Sequence, residues 1–72
     1  MSDTINLLDV VALAVDLPQH DLTRGQVGTV VEVLEPGVFE VEFSDDAGRT
    51  YAVTPVKAEY LLRLRYRPAH TA

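Results

Sequence analysis

The 72-residue sequence predicts an all-β domain, a small five-stranded barrel with one short helical or 3₁₀ turn before the last strand. Three observations carry that prediction. Valine, phenylalanine and tyrosine recur at two-residue spacing in short runs, which is the period of a half-buried strand. Gly25, Pro36-Gly37 and Gly48 punctuate those runs where turns are needed. The longest run sets Val27, Thr29, Val31 and Val33 on one face and Val30, Glu32 and Leu34 on the other. Apolar content on both faces suits a bent strand shared by two packed layers, around which small barrels are built. An open β-sheet with one packed helix is the alternative architecture.

In chain order, residues 1–6 read as a flexible leader, because Asp3, Thr4 and Asn6 sustain no period, and Leu7 and Leu8 close one end of the core. Residues 9–15 make the first strand, with Val11, Leu13 and Val15 inward and Val10, Ala12 and Ala14 outward. The Val10-Val11 pair and the short distance to Pro18 favour strand over helix there. Residues 16–24 form a long surface loop, held extended at Leu17 by the proline that follows, with Leu22 folded back onto the core. Gly25 and Gly28 then turn the chain and admit a close neighbour. The second strand ends at Pro36-Gly37, and residues 38–43 return antiparallel with Phe39, Val41 and Phe43 inside and Glu40 and Glu42 in water. Residues 44–48 turn again, Asp45 and Asp46 accepting from nearby N–H groups and Gly48 adopting positive φ. Residues 49–54 give a fourth strand, with Tyr51 and Val53 on its core face, and Pro55 stops it. Residues 56–60 allow a single helical or 3₁₀ turn, and residues 61–66 the last strand. The domain thus spans 7–66 and leaves 67–72 as a C-terminal tail. Its expected interior is Val11, Leu13, Val15, Leu22, Val27, Val30, Val31, Val33, Phe39, Val41, Phe43, Tyr51, Val53, Leu61 and Leu62.

Composition narrows the function classes. The apolar fraction of 47% belongs to a folded chain, yet a core of this size is marginal, so homo-oligomerisation is an open route to further burial. Without cysteine there is no disulfide, thiolate nucleophile or cysteine zinc site, which favours a cytoplasmic setting. Asp9 and Asp16 interrupt the first apolar run, so neither a signal peptide nor a membrane association is read from it. The net charge is −5, with Arg63, Arg65 and Arg67 gathered at the C-terminal end of an otherwise acidic body. An acidic body repels phosphate backbones and makes nucleic acid an unfavoured partner.

Two resemblances follow from these residues. Gly25-Gln26-Val27-Gly28-Thr29-Val30 with a second valine-rich strand resembles the strand pair of KOW-type ribosomal and transcription-factor domains, which implies RNA or ribosome association. More extensively, Leu7-Leu8-Asp9-Val10-Val11-Ala12-Leu13, Asp16-Leu17-Pro18, residues 24–32, Glu35-Pro36-Gly37, Glu40-Val41-Glu42-Phe43 and residues 48–51 are similar to a family of small bacterial domains of unknown function. That similarity runs from Leu7 to about Leu64. It implies an SH3-like barrel and a protein partner encoded by a neighbouring gene, and it supplies no reaction, ligand or catalytic residue.

The chemistry-bearing residues are few. His20 beside Asp21 and near Asp16 has the composition of a general base or a metal-ligand pair, but no third ligand is implied and loops commonly carry such groups. His70 falls in the tail. Asp45-Asp46-Ala47-Gly48 lacks the alternating ligands of a calcium loop and reads as a hairpin turn. Glu32, Glu40 and Glu42 make a carboxylate pair only if two face each other across the hairpin; solvated placement is the default. The Gly-x-x-Gly of Gly25 and Gly28 lacks the helices and basic setting of a nucleic-acid clamp, and the Lys-Ser or Lys-Thr of a phosphate loop. Arg63, Arg65 and Arg67 alternate and share a face if the strand continues, suiting a protein partner, protection of a strand edge or phosphate. The sequence therefore predicts a non-catalytic module without cofactor or metal. It binds another protein through its first loop and an exposed strand edge, with Asp16, His20, Asp21, Arg24, Arg63, Arg65 and Arg67 as contact residues. Gly25, Gly28, Pro36, Gly37 and Gly48 are structural. A nucleic-acid or KOW-like role is the alternative, and a small hydrolase or metal protein using His20 the third reading.

Overall fold

Nine residues dominated by valine make the longest strand, β2 at Val27–Glu35, and the sheet extends to either side of it. The computed structural model describes residues 4–65. On one side β3, Val38–Ser44, pairs with β2 through the Pro36-Gly37 turn, and β4, Thr50–Lys57, pairs with β3. On the other side come β1, Val10–Leu13, and β5, Leu61–Arg63. All pairings are antiparallel, in the order β4-β3-β2-β1-β5. As the sequence predicts, the fold is all-β, with a 3₁₀ turn at Ala58–Tyr60 leading into the last strand. A second 3₁₀ turn, Pro18–His20, lies in the first loop.

The core occupies one face of this sheet. Val11 and Leu13 from β1, Val30 from β2, Phe39, Val41 and Phe43 from β3, Val56 from β4 and Leu61 from β5 are buried together, and Leu22 from the first loop covers them. At Gly28, β3 leaves no room for a side chain on β2. A Cβ built there meets Val41 Cγ1 at 2.7 Å, the Glu42 carbonyl oxygen at 2.8 Å and Phe43 Cδ2 at 3.0 Å. Only a residue without a side chain fits beneath that part of the core. Gly37 and Gly48 hold the two hairpin turns at φ +82° and +83°.

The expected interior is too generous. Val15, Val27, Val31, Val33, Tyr51, Val53 and Leu62 are all substantially exposed. β2 contributes one buried row, Gly28 and Val30, and its register against β3 shifts between Val30 and Glu32 and again between Val33 and Glu35. Each bulge inserts a residue and reverses which side chain faces inward, so strict alternation over the whole run fails. Val33 returns to the core side opposite Phe39, but the β1 ladder has ended at Thr29 and leaves it uncovered. Val15 lies past the end of β1.

β4 is displaced by one residue from its expected phase. Thr54 and Val56 point inward with partly buried Ala52, and Val53 faces out opposite Glu42. The register moves from Phe43–Ala52 to Ser44–Thr50, so Tyr51 is the extra residue of a bulge. Pro55 does not stop the strand, which runs through it opposite Glu40. An edge strand tolerates proline where the missing N–H would have faced away from its neighbour. Leu7 and Leu8 do not close the core either: they are exposed, and Ile5 packs there instead. The last strand ends at Arg63, short of the expected residue 66, which lies outside the described residues.

Candidate functional site

The first loop is a folded structure in its own right. Leu17 and Leu22 face each other as an isolated bridge, the Leu17 N–H donating to the Leu22 carbonyl at 2.9 Å and the Leu22 N–H returning at 3.2 Å. Between them Pro18–His20 winds one 3₁₀ turn, closed by Asp21 in a left-handed conformation at φ 59°. Asp and Asn tolerate that region better than most residues. Leu22 is 2% exposed and pins the loop to the core. At the base, the Asp16 carboxylate accepts the Arg24 N–H at 2.8 Å, and the Gln26 side-chain oxygen accepts both the Thr23 N–H and, at 3.2 Å, its hydroxyl.

This arrangement brings Asp16, His20, Asp21 and Arg24 to the exposed rim of one loop. It also carries His20 to the edge strand: its Nε2 lies 3.4 Å from the hydroxyl of Thr54, a buried residue of β4. The loop and β4 therefore adjoin. Across the mouth of the core, Gln26 Nε2 donates to the Tyr51 hydroxyl at 3.0 Å, and the Tyr51 ring tilts over Phe43 with centroids 6.4 Å apart. Thr54, Gln26 and Tyr51 were not legible as site residues. A threonine within an alternating run signals a strand, and nothing local announces which loop will land on it.

The arginines are arranged differently from the expectation. Arg63 Nε sits 3.2 Å from Asp9 Oδ2, an ion pair that ties β5 to the start of β1. Arg65 is exposed beyond the end of β5, so the alternating row is not held by a strand. Arg67 and His70 lie outside the described residues. The Asp45 turn is a hairpin turn, as expected: one carboxylate oxygen accepts the Ala47 and Arg49 N–H groups, each at 2.9 Å. Among the described residues no group of three or more His, Asp or Glu side chains is placed to hold a metal ion. Glu32 and Glu40 do face each other across the hairpin, and Glu42 accepts the Thr50 hydroxyl at 2.7 Å.

A family model described as "Domain of unknown function (DUF4926)" matches residues 7–63, from the exposed leucine pair to the end of β5. The chain belongs to the DUF4926 family. No curated protein and no solved structure matches it. In this DUF4926 domain the match takes in the whole first loop, all five strands and the Gly28 contact with β3.

Proposed function

We propose that this DUF4926 domain is a non-catalytic binding module, an SH3-like barrel that recognises another protein through its first loop and the adjoining β4 edge. The observation that carries the reading is the contact of His20 with Thr54, which sets the first loop against β4. The sheet order, the long first loop and the 3₁₀ turn before the last strand support the barrel reading. Beyond β4 no further strand is paired among the described residues, so Val53 and its neighbours retain backbone groups able to accept an added strand. Pro55 and Lys57 blunt the far half of that edge and leave residues 50–54 as its pairing segment.

Two findings weigh against the nucleic-acid alternative: Arg63 is occupied by Asp9, and the face of the hairpin is acidic. Co-purification of the full chain from its host cells, read by mass spectrometry, tests the proposal. One protein retained by the wild type and lost from the His20→Ala, Arg24→Ala double variant is expected. Repeated recovery of the chain alone contradicts it.

A further inference from the structure

On the side of the sheet away from the core, register aligns Leu62, Ala12 and Val27 in one row across β5, β1 and β2. The next row holds Val10, Thr29, Glu42 and Val53 across β1 to β4. Leu62, Val53 and Val27 are 59%, 49% and 44% exposed, more apolar surface than an outward sheet face ordinarily presents. Between these rows lies a shallow depression of about 150 Å³, lined by Val10, Val27, Gly28, Thr29, Glu42 and Ser44. Small-molecule sites occupy roughly 300–1,000 Å³, so this hollow suits a single side chain.

Beside the apolar half the face turns anionic. Glu32 stands directly opposite Glu40, and Glu42 is next along β3. Like charges facing each other across a ladder weaken it. Among the described residues the ion pairs are Arg63 with Asp9 and Arg49 with Asp45, and neither involves these three glutamates; the same outward face also carries Lys57, two residues along β4 from the Pro55 that pairs with Glu40.

We infer that this outer face docks a basic amphipathic protein segment, one apolar side chain seated in the depression and lysines or arginines meeting Glu42, Glu40 and Glu32. The inference rests on the binding-module reading and adds a surface and a partner chemistry to it. Charge complementarity selects the occupant. A second copy packed about a two-fold axis through the glutamates sets them against one another, and a nucleic acid brings phosphates to them. The seated side chain supplies most of the affinity, while the charges supply orientation and association rate.

Amide chemical-shift mapping on the full chain tests it, with a synthetic peptide of alternating lysine and valine as the probe and its glutamate-valine counterpart as the control. The lysine peptide is expected to move the amides of Val10, Val27, Thr29, Glu42 and Val53, and the control peptide to leave them in place. The Glu32→Gln, Glu40→Gln variant weakens the lysine peptide about tenfold, the order expected of two exposed ion pairs. Val27→Lys abolishes binding while the dispersed spectrum of the folded sheet persists. Equal response to both peptides, or none, contradicts the inference. Shifts confined to residues 16–24 and β4 also overturn it, yet leave the binding-module reading standing. Dilution-dependent shifts on this face without peptide assign it to a second copy and overturn it as well.

Discussion

One carbon atom at position 28 has nowhere to go. The space is bounded by Val41, Phe43 and a β3 carbonyl oxygen, and a backbone atom cannot rotate aside as a side chain can. Gly28→Ala is therefore expected to cost about 1–3 kcal/mol, the usual penalty of overpacking, read as a lowered midpoint in urea. Gly25 is the contrasting case: nothing lies within 4 Å of a Cβ there, and its φ of +95° is the obstacle. Leu8 shows the same backbone problem with a side chain already present. It holds φ 71° while 69% exposed, its N–H donating to the Val30 carbonyl at 2.7 Å. A left-handed leucine costs about 1–2 kcal/mol and buries little here to offset it. Leu8→Gly should raise stability by about 0.5–1 kcal/mol in thermal unfolding once the extra freedom of glycine in the unfolded chain is counted. Unchanged or lower stability would show that Leu8 gains more from its contacts than its exposure implies. The need for glycine at position 28 was visible in the sequence, but the strain at Leu8 was not, because a Leu-Leu pair carries no turn signal.

At the scale of elements, the β2–β3 hairpin and the first loop make separate predictions. Glu32 and Glu40 oppose each other, so Glu32→Lys should stabilise the domain by about 0.2–1 kcal/mol, seen as a higher melting temperature that declines with added salt. Asp16→Ala removes the acceptor for the Arg24 N–H. It should accelerate hydrogen exchange at that amide at a cost of about 0.5–1.5 kcal/mol, with amides in the β2–β3 ladder unaffected. The hairpin was legible because Phe39, Val41 and Phe43 alternate with Glu40 and Glu42 directly after a Pro-Gly turn that ends a valine-rich run. β4 was legible as a strand but not in phase. Its bulge at Tyr51 and its passage through Pro55 are consequences of lying at a sheet edge, a fact of topology with no local signal. The long loop was visible from its length and proline, and Leu22 from its isolation among polar residues. The landing of His20 on Thr54 required the three-dimensional arrangement.

At the scale of the whole molecule, the valine-rich central strand outruns one of its two neighbours. β1 covers only its first part, so the core forms there, and apolar residues beyond it and on the reverse face stay in contact with water. Exposed Val27, Val53 and Leu62, a polar loop folded against an edge strand and two glutamates facing each other across a hairpin are the surface features on which the proposed binding role rests. Hydrogen–deuterium exchange on the full chain, alone and with the protein that co-purifies with it, tests this most directly. Slowed exchange at residues 16–24 and in Thr50–Lys57, with the buried β2–β3 ladder unaltered, is the predicted result. Identical exchange in both samples, or protection found only in segments remote from the loop and β4, would contradict it.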